Sequence, residues 1–302
     1  MLVSVVIPTH NRRELLRSAL ESVYKQTYSR FEVIVVDDCS TDGTTEVLRQ
    51  EAEQGRLRFH RNAKSLGGAG SRNVGIGLAK GELVAFLDDD DEWLPEKLAQ
   101  QVPLFSDPEV GLVYCGVELV FPELGIRYDT NPRVRGYCFE EMIIENRVGG
   151  TCGVMLRADV FDSHRFDPEM PARQDYDLWL RVSRDWKIDG VQAPLVRAYS
   201  RNIKRITSDI SNYERAVEAI KLKHQDYIAR LPEGRRRLRS SEQYFFLGAQ
   251  ALKANNARAA RGYFFRSAIA RWNVRAAGAF FASLLGVRFA LYVRRLTQRG
   301  KL

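Results

Sequence analysis

The sequence contains only four cysteines, and none of them stands at the spacing of a metal site. Structural zinc sites need closely spaced pairs of cysteine or histidine, so a cysteine-based metal site is excluded. Isolated cysteines are typical of reduced thiols in a cytosolic protein. The four residues are Cys39, Cys115, Cys138 and Cys152.

The sequence also lacks a hydrophobic run long enough to span a membrane. Its last apolar stretch, residues 274–293, contains Arg275 and Arg288, which confine the uncharged run to residues 276–287. A membrane-spanning helix needs about 20 apolar residues. Met1 leads into the first apolar run without a charged leader, so no secretory signal is expected. We therefore expect a cytoplasmic protein, and peripheral contact with the inner face of a membrane is a further expectation.

Negative charge is scarce in the last third of the chain. Residues 1–200 carry 24 Lys and Arg against 32 Asp and Glu, whereas residues 201–302 carry 22 against 6. The basic end of the chain, with its apolar stretch, predicts either an amphipathic helix on an anionic membrane or a core helix with a solvated basic end. Nucleic acid is the less favoured partner, because no nucleic-acid-binding motif accompanies the charge.

A length of 302 residues fits one domain of about 200 residues and a smaller helical module. We place the domains at residues 1–205 and 206–302. In the second, the spacing of Leu247, Gly248 and Phe264 resembles one tetratricopeptide-like helical hairpin. A single copy cannot build a solenoid, so we expect it to pack on the first domain, on the next helix or on a partner.

Apolar runs and helical patterns alternate through the first hundred residues. This alternation predicts an α/β fold, with a mostly parallel sheet flanked by helices on both faces. The predicted strands are residues 3–7, 31–36, 57–60 and 83–87, and the predicted helices are residues 14–24, 44–53 and 67–79. Pro8 is expected to end the first strand.

Polar clusters follow three of these strands, at residues 8–11, 37–38 and 88–91. Ligands of such sheets bind beyond the carboxyl ends of the strands, so we expect the clusters to converge on one crevice. The third cluster is four consecutive aspartates, which would repel one another unless a cation lay between them. Carboxylates suit Mg²⁺ or Mn²⁺, which keep positions for substrate phosphates. The alternative is a solvated acidic turn before a helix that starts near residues 94–95.

These segments resemble, in their order, the signature of the family 2 glycosyltransferases. The resemblance is carried by residues 3–12, 35–44, 72–76 and 81–91, and residues 174–181 are similar to the catalytic segment of the family. It covers roughly the first two hundred residues. It implies the Rossmann-like GT-A fold of nucleotide-diphospho-sugar transferases, a nucleotide-sugar donor, a divalent metal (Mn²⁺ or Mg²⁺) and inversion at the anomeric carbon.

The resemblance implies that the first two clusters bind the nucleotide base. Pro8, Thr9 and His10 would line the base pocket, with the His10 ring stacking on the base. Asp38 would accept a hydrogen bond from uracil, the base that the family leads us to expect. Asp37 would hold the loop or approach the ribose.

The resemblance assigns the diphosphate and the metal to the third cluster. Asp88 and Asp90 match the first and third positions of the family's Asp-X-Asp motif and would hold the metal. Asp88 and Asp89 would also contact the nucleotide, and Arg72 would pair with phosphate unless it is an ordinary surface arginine. Asp91 would support the site or cap a helix.

The catalytic base implied by the resemblance is Asp175. Gln174 stands where many members have Glu, and the loss of that charge favours ionised Asp175. Asp177 is expected to cap or brace its helix. We expect Trp179 in the core, and for Trp93 a core position and a sugar platform stay open.

The sequence departs from the family's patterns in two places, which bear on the type of enzyme and on the metal ligands. No Gln-X-X-Arg-Trp pattern follows the predicted catalytic helix, which argues against a processive synthase. No histidine occurs in residues 195–207, so metal ligation would fall to aspartates, diphosphate and water, and Arg201, Lys204 and Arg205 are candidates to hold phosphate.

The implied function is inverting sugar transfer from a nucleotide-diphosphate sugar to a hydroxyl of a glycan or lipid-linked acceptor, in cell-surface polysaccharide or glycoconjugate biosynthesis. One alternative is a sugar-phosphate nucleotidyltransferase, but residues 8–11 stand where its glycine-rich, arginine-containing loop would lie. The other is a non-catalytic scaffold that binds a nucleotide-sugar.

Overall fold

The computed structural model describes residues 1–200 and 209–284. The strands in these ranges are β1 (Val3–Thr9), β2 (Phe31–Asp37), β3 (Arg58–Arg61), β4 (Leu83–Phe86), β5 (Glu92–Trp93), β6 (Val110–Phe121), β7 (Ile126–Thr130), β8 (Val154–Arg157) and β9 (Lys187–Tyr199). The helices are α1 (Arg13–Tyr24), α2 (Thr44–Glu53), α3 (Gly67–Leu78), α4 (Lys97–Gln101), α5 (Phe139–Met142), α6 (Gln174–Asp185), α7 (Ile210–Lys223), α8 (Gln225–Arg230), α9 (Glu233–Lys253), α10 (Ala257–Ala270) and α11 (Val274–Leu284).

All seven elements predicted in the first 87 residues are present, with ends within two residues of the prediction. Pro8 does not end β1, which was the expectation; it lies within the strand, in register with Val36 of β2. On the other side, β4 pairs with β1 only as far as Val6. A proline is tolerated here because the second ladder of hydrogen bonds has already ended.

The sheet has a parallel half and a mixed half. Its order is β3-β2-β1-β4-β8-β6-β9-β5, and β7 pairs with β6. The first four strands are parallel, as predicted. Beyond β4 the sheet is mixed, because β8 runs antiparallel to both β4 and β6, whereas β6 and β9 are parallel. The expectation of a mostly parallel sheet therefore holds only for the first half.

The order of the first strands positions the functional site. β1 lies between β2 and β4, so the chain extends the sheet to one side of β1 and then returns to extend it on the other. Such a reversal leaves a crevice beyond the carboxyl ends of the strands. Alternate residues of β1 pack on opposite faces: Val5 and Ile7 contact the cluster that contains Leu20 of α1, and Val6 contacts the cluster that contains Ile76 of α3.

The helices after residue 209 share a hydrophobic core with the sheet. Tyr213, Ile220 and Leu247 belong to the same buried cluster as Phe86 of β4 and Trp179 of α6. The proposed domain boundary at residue 205 lies outside the described residues. Within the described ranges, no helix has both the length and the apolar character needed to cross a membrane.

The predicted helical hairpin is formed by α9 and α10. Its closest approach is at Gly248, where an added Cβ would lie 2.6 Å from the ring of Phe264. The hairpin packs on the core of the sheet through Leu247 and on α11 through the cluster that contains Ala282. The hairpin therefore packs both on the first domain and on the next helix, which are two of the three packing surfaces expected from the sequence.

Replacing Gly248 with alanine is expected to destabilise the protein by about 1–3 kcal/mol, because the new methyl group overlaps a buried ring. Gly262 on the exposed side of α10 is the matched control, because an added Cβ there meets nothing within 4 Å. Alanine at Gly262 should instead stabilise by up to about 1 kcal/mol through helix propensity. Urea unfolding of both variants measures the difference, and equal effects would contradict the close packing of α9 on α10.

Candidate active site

The carboxyl ends of β1, β2 and β4 open on one pocket of about 940 Å³. Nine of the residues assigned to the site from the sequence line it. These residues are Pro8, Thr9, His10, Asp38, Arg72, Asp88, Asp89, Asp90 and Asp175. The convergence expected from strand topology is thus present in the structure.

The residues at the carboxyl end of β1 form hydrogen bonds with residues that follow the neighbouring strands. Thr9 donates to Asp89 at 2.8 Å, which connects the end of β1 to the aspartate cluster. Nδ1 of His10 lies 2.6 Å from the carbonyl oxygen of Asp38. His10 is exposed and lines the pocket.

The carboxylate of Asp38 already accepts four hydrogen bonds from the loop that leads into α3. The donors are Asn62 (2.7 Å), Ser65 (2.7 Å) and the amides of Leu66 (2.8 Å) and Gly67 (2.9 Å). Burial alone would raise the pKa of Asp38, but these donors outweigh it and lower the pKa. Asp38 therefore holds this loop against the end of β2, and a base N–H would replace one of the four donors.

Asp37 stabilises the adjacent loop, which is one of the two roles expected for it. Its carboxylate accepts hydrogen bonds from the Ser40 amide at 2.9 Å and the Thr45 hydroxyl at 2.6 Å. Ser40 lies between β2 and α2 and Thr45 lies in the first turn of α2, so Asp37 fixes the start of that helix.

Three of the four aspartates in the cluster are buried and the Asp88 side chain is 31% exposed, so the cluster is not a solvated turn. Asp89, Asp90 and Asp91 are 4, 8 and 7% exposed. The helix expected near residues 94–95 begins later, at Lys97, because β5 intervenes and pairs with β9. The alternative of a helix-capping acidic turn is therefore wrong.

Each aspartate has a different environment. Asp88 faces Arg72 and accepts a hydrogen bond from Thr151 at 3.1 Å. Arg12 donates to Asp89 at 2.8 Å and lies 3.3 Å from Asp90. Burial raises the pKa of Asp89 to about 6, although Arg12 and Thr9 oppose the shift.

Asp91 lies behind the pocket wall. It accepts a hydrogen bond from the Tyr199 amide at 3.1 Å, and burial, followed by repulsion from Asp88 and Asp90, raises its pKa well above the usual range. This position supports the cluster from behind, as the sequence suggested for Asp91.

The donor set fits a divalent cation that is completed by its substrate. Among the described residues, no three Asp, Glu, His or Cys side chains are grouped so as to hold a metal. Mg²⁺ in nucleotide sites is typically bound by one or two carboxylates together with phosphates and water. Asp88 and Asp90 line the pocket and supply such a pair.

Arg72 is not an ordinary surface arginine. Its guanidinium pairs with Asp88 and lies 5.7 Å from the ring centroid of Phe166. Its Nε is buried and has no hydrogen-bond partner in the described part of the chain. The side chain therefore lines the pocket with one buried donor still unused.

Asp175 stands at the first turn of α6 and lines the pocket. Arg173 precedes it in a left-handed conformation (φ 57°), which starts the helix. One Asp175 oxygen accepts from the Tyr176 amide at 2.8 Å, and the other faces Gly150, where a Cβ would lie 3.9 Å away. Burial raises the pKa of Asp175 against the opposing influence of Arg173 and Arg72.

The neighbouring residues of α6 are structural. Asp177 is fully buried and accepts from Arg181 and Lys223 at 2.8 Å each, so it braces α6 against α7 as predicted. Trp179 is fully buried and donates to the Gly149 carbonyl at 3.1 Å. Trp93 is also buried and donates to the Cys152 carbonyl at 2.8 Å, so neither indole is an open sugar platform.

Two residues of the site were missed from the sequence. Arg12 was visible only as a basic residue four positions after Pro8, which was a weak signal. Arg173 lies between the rings of Tyr176 and Phe246, at 4.4 and 4.1 Å from their centroids. It also donates to Gln243 of α9 at 2.6 Å, a partner 70 residues away that no local pattern indicates.

The basic residues proposed to hold phosphate, Arg201, Lys204 and Arg205, lie outside the described residues.

Solved structures define the class of fold. The chain superposes on the fragment 1–349 of Staphylococcus aureus TarS in complex with UDP-GlcNAc with a TM-score of 0.61 and 18% identity, covering 99% of this chain and 93% of that one. It covers 55% of the longer TarS chain. The mannosyltransferase PcManGT of Pyrobaculum calidifontis, in complex with GDP-Man and Mn²⁺, gives a TM-score of 0.59 and 22% identity over 98% of this chain and 84% of that one. The fold is GT-A, as expected.

The sequence defines the family. The model for glycosyl transferase family 2 matches residues 4–162, more than half of the chain. The protein belongs to this family and is a glycosyltransferase. It is 29% identical over 199 residues to an Escherichia coli UDP-Glc:α-D-GlcNAc-diphosphoundecaprenol β-1,3-glucosyltransferase, WfgD, covering 65% of this chain and 75% of WfgD. It is 33% identical to WcaA of E. coli K12, a putative colanic acid biosynthesis glycosyl transferase, over 62% of this chain and 70% of WcaA.

Proposed function

We propose that the protein transfers a sugar, with inversion, from a UDP-sugar to a hydroxyl of a glycan or lipid-linked acceptor in cell-surface polysaccharide or glycoconjugate biosynthesis. The observation that carries this proposal is the single pocket that unites Asp38, Asp88 and Asp175. The names of WfgD and WcaA support the substrate class, since one includes UDP-Glc and a lipid-linked acceptor and the other a polysaccharide.

Asp175 is the proposed general base. Inversion requires a base on the acceptor side that takes the proton of the attacking hydroxyl. Asp175 and Gly150 line the same pocket as the aspartate cluster, and one Asp175 oxygen faces Gly150. A raised pKa brings a carboxylate closer to the optimum for proton transfer near neutral pH.

Asp88 and Asp90 are the proposed ligands of Mn²⁺ or Mg²⁺. The bound metal would neutralise the charge that develops on the departing diphosphate. Arg72 now balances the charge of Asp88. With a cation at Asp88, the Arg72 guanidinium becomes available to the diphosphate, which arginine binds through two parallel hydrogen bonds.

The base is proposed to lie against Pro8, Thr9 and His10. Asp38 accepts the base N–H in place of the Ser65 hydroxyl, which is the donor among its four that rotates most easily. Asp89 approaches the nucleotide from the side of Thr9.

The alternatives receive less support. Membership of the family favours glycosyl transfer over nucleotidyl transfer. A scaffold that only binds a nucleotide-sugar has no need of a partly desolvated carboxylate in the same pocket as the aspartates. Asp175 is such a carboxylate, so its presence favours catalysis. Contact with the inner face of a membrane stays part of the proposal, because a lipid-linked acceptor is presented there.

Thermal unfolding with UDP, GDP, CDP or dTDP, each with and without Mn²⁺, tests the proposal. A ligand that binds only the folded state raises the unfolding midpoint by mass action. We expect a clear upward shift for UDP with Mn²⁺ and a smaller shift without it. Uridine with Mn²⁺ is the control, because it lacks the diphosphate that completes the metal site. The absence of a shift with every nucleotide would contradict a nucleotide-sugar donor.

A further inference from the structure

Large apolar side chains are exposed where α10 meets α11. The most exposed are Val274 (80%), Trp272 (77%) and Ile269 (69%). We call this region the α10–α11 surface; it consists of Phe265, Ile269, Trp272, Val274, Phe281 and Leu284. A contiguous apolar surface of this kind marks an interaction site.

These residues follow one another along the end of α10 and the start of α11. Phe265 and Ile269 are four positions apart and share one face of α10, and Trp272 follows in the extended link to α11. The ring centroids of Phe265 and Phe280 are 6.2 Å apart, so this face adjoins α11. The opposite face of α10 is buried through Ala260 and Phe264. The helix therefore packs on the rest of the protein through that face, while Phe265 and Ile269 stay exposed to solvent.

The chain around this surface is basic. Residues 243–284 contain 6 Lys and Arg and no Asp or Glu, and Arg275 pairs with Glu242 of α9. In the described part, Arg266, Arg271 and Arg275 interleave with the apolar residues of the α10–α11 surface. An apolar face bordered by arginines is the composition of a segment that lies at an anionic membrane interface, where tryptophan is also enriched.

A pocket of about 460 Å³ adjoins the surface. It is lined by Arg235, Arg237 and Arg271 and by the start of α9 at Pro232 and Gly234. The first amides of a helix have no helical acceptor and attract anions. This pocket therefore has the chemistry of a phosphate site, and Arg271 places it one residue from Trp272.

The acidic neighbours of these arginines are weakly held. Arg237 pairs with Glu233 at 2.7 Å, but both side chains are about two-thirds exposed. Arg235 lies 3.7 Å from Glu140, also at the surface. Exposed pairs contribute little stability, so a lipid phosphate competes with both carboxylates at small cost.

We propose that the α10–α11 surface docks on an anionic lipid bilayer, with Trp272 and Ile269 inserted at the interface and the arginine pocket holding a lipid phosphate. This inference deepens the proposed function, because docking would bring the pocket of Asp175 to a lipid-linked acceptor. It concerns the described helices and is independent of residues 285–302.

Flotation with vesicles tests the proposal on the full chain. We expect binding to phosphatidylcholine vesicles that contain phosphatidylglycerol, weaker binding at high salt, and little binding to phosphatidylcholine alone. The double variant Ile269→Glu/Trp272→Glu should bind at least tenfold more weakly. Leu222→Glu is the matched control, because Leu222 is 56% exposed on α7, outside the surface, and should leave binding unchanged.

The pocket is tested in the same assay. Arg235→Glu/Arg271→Glu should weaken binding to the anionic vesicles at least tenfold, whereas Arg49→Glu, an exposed arginine of α2, should change it less than twofold. Tryptophan emission should shift to the blue on vesicle addition, and Trp272→Phe should remove most of that shift, because Trp93 and Trp179 are buried and Trp186 is partly buried against the core.

Three results in these assays would overturn the proposal, and a fourth comes from competition with nucleic acid. They are no binding to anionic vesicles, equal binding by the surface variants and their controls, and a dimer in light scattering that only the Ile269→Glu/Trp272→Glu variant dissolves. The last would make the surface an interface between copies of the chain. Preference for RNA or DNA over vesicles would also count against it. The thermal shift with UDP and Mn²⁺ is measured on the same variants, so failure of membrane docking is distinguishable from failure of the nucleotide site.

Discussion

Replacing Asp175 with asparagine is expected to lower the rate of sugar transfer by about 10²- to 10⁴-fold, the usual contribution of a general base. The substitution keeps the shape and the oxygen that accepts from Tyr176, but removes the group that takes the acceptor proton. Nucleotide binding should be unchanged, because Asp175 is not among the residues proposed to contact the nucleotide. Product formation and the thermal shift with UDP and Mn²⁺ measure the two effects separately.

A near-normal rate for the Asp175→Asn variant would disprove the assignment. The control is Asp185→Asn at the far end of the same helix, where the carboxylate is half-exposed and lies outside the pocket. We expect this control to transfer sugar at the normal rate.

The pH dependence of the wild-type enzyme follows from the same residue. Burial raises the pKa of Asp175, so the base becomes ionised only above the usual range of an aspartate. The value of kcat/KM should therefore fall as pH is lowered through this raised pKa. Gln174→Glu adds a negative charge beside the base and should move the fall to higher pH. A profile that is identical in the two enzymes would contradict Asp175 as the titrating group.

Removal of divalent metal is expected to reduce transfer by at least about 10²-fold, comparable to the loss of one preorganised electrostatic group. The carboxylates of Asp88 and Asp90 need a cation to bind a diphosphate, which is itself negatively charged. Treatment with EDTA followed by a return of Mn²⁺ or Mg²⁺ measures the loss and the recovery of activity.

Asp90→Asn should mimic metal removal, with a weaker thermal shift for UDP with Mn²⁺. Glu14→Gln is the control, because Glu14 also lines the pocket but lies at its rim, with 68% of its side chain exposed. Equal activity and equal UDP binding with and without metal would remove the metal from the mechanism.

The sequence was most informative where structure depends on local order. The first seven elements follow from apolar periodicity, and their ends agree with the prediction because capping and turn residues act within a few positions. The crevice was also predictable, because parallel strands carry the residues that follow them to the same edge of a sheet. The burial of the aspartates was not, since it depends on β9, whose Tyr199 lies 108 positions from Asp91.

What the sequence alone determined is the α/β order of the first half, the family and the set of residues that line one pocket. Only the tertiary structure decided the mixed half of the sheet, the four donors on Asp38 and the contact of Arg173 with Gln243. The physical reason is the range of the interactions. Periodicity and capping act between neighbours in the chain, whereas hydrogen bonds and burial in the site join residues up to about a hundred positions apart, which only the folded chain brings together.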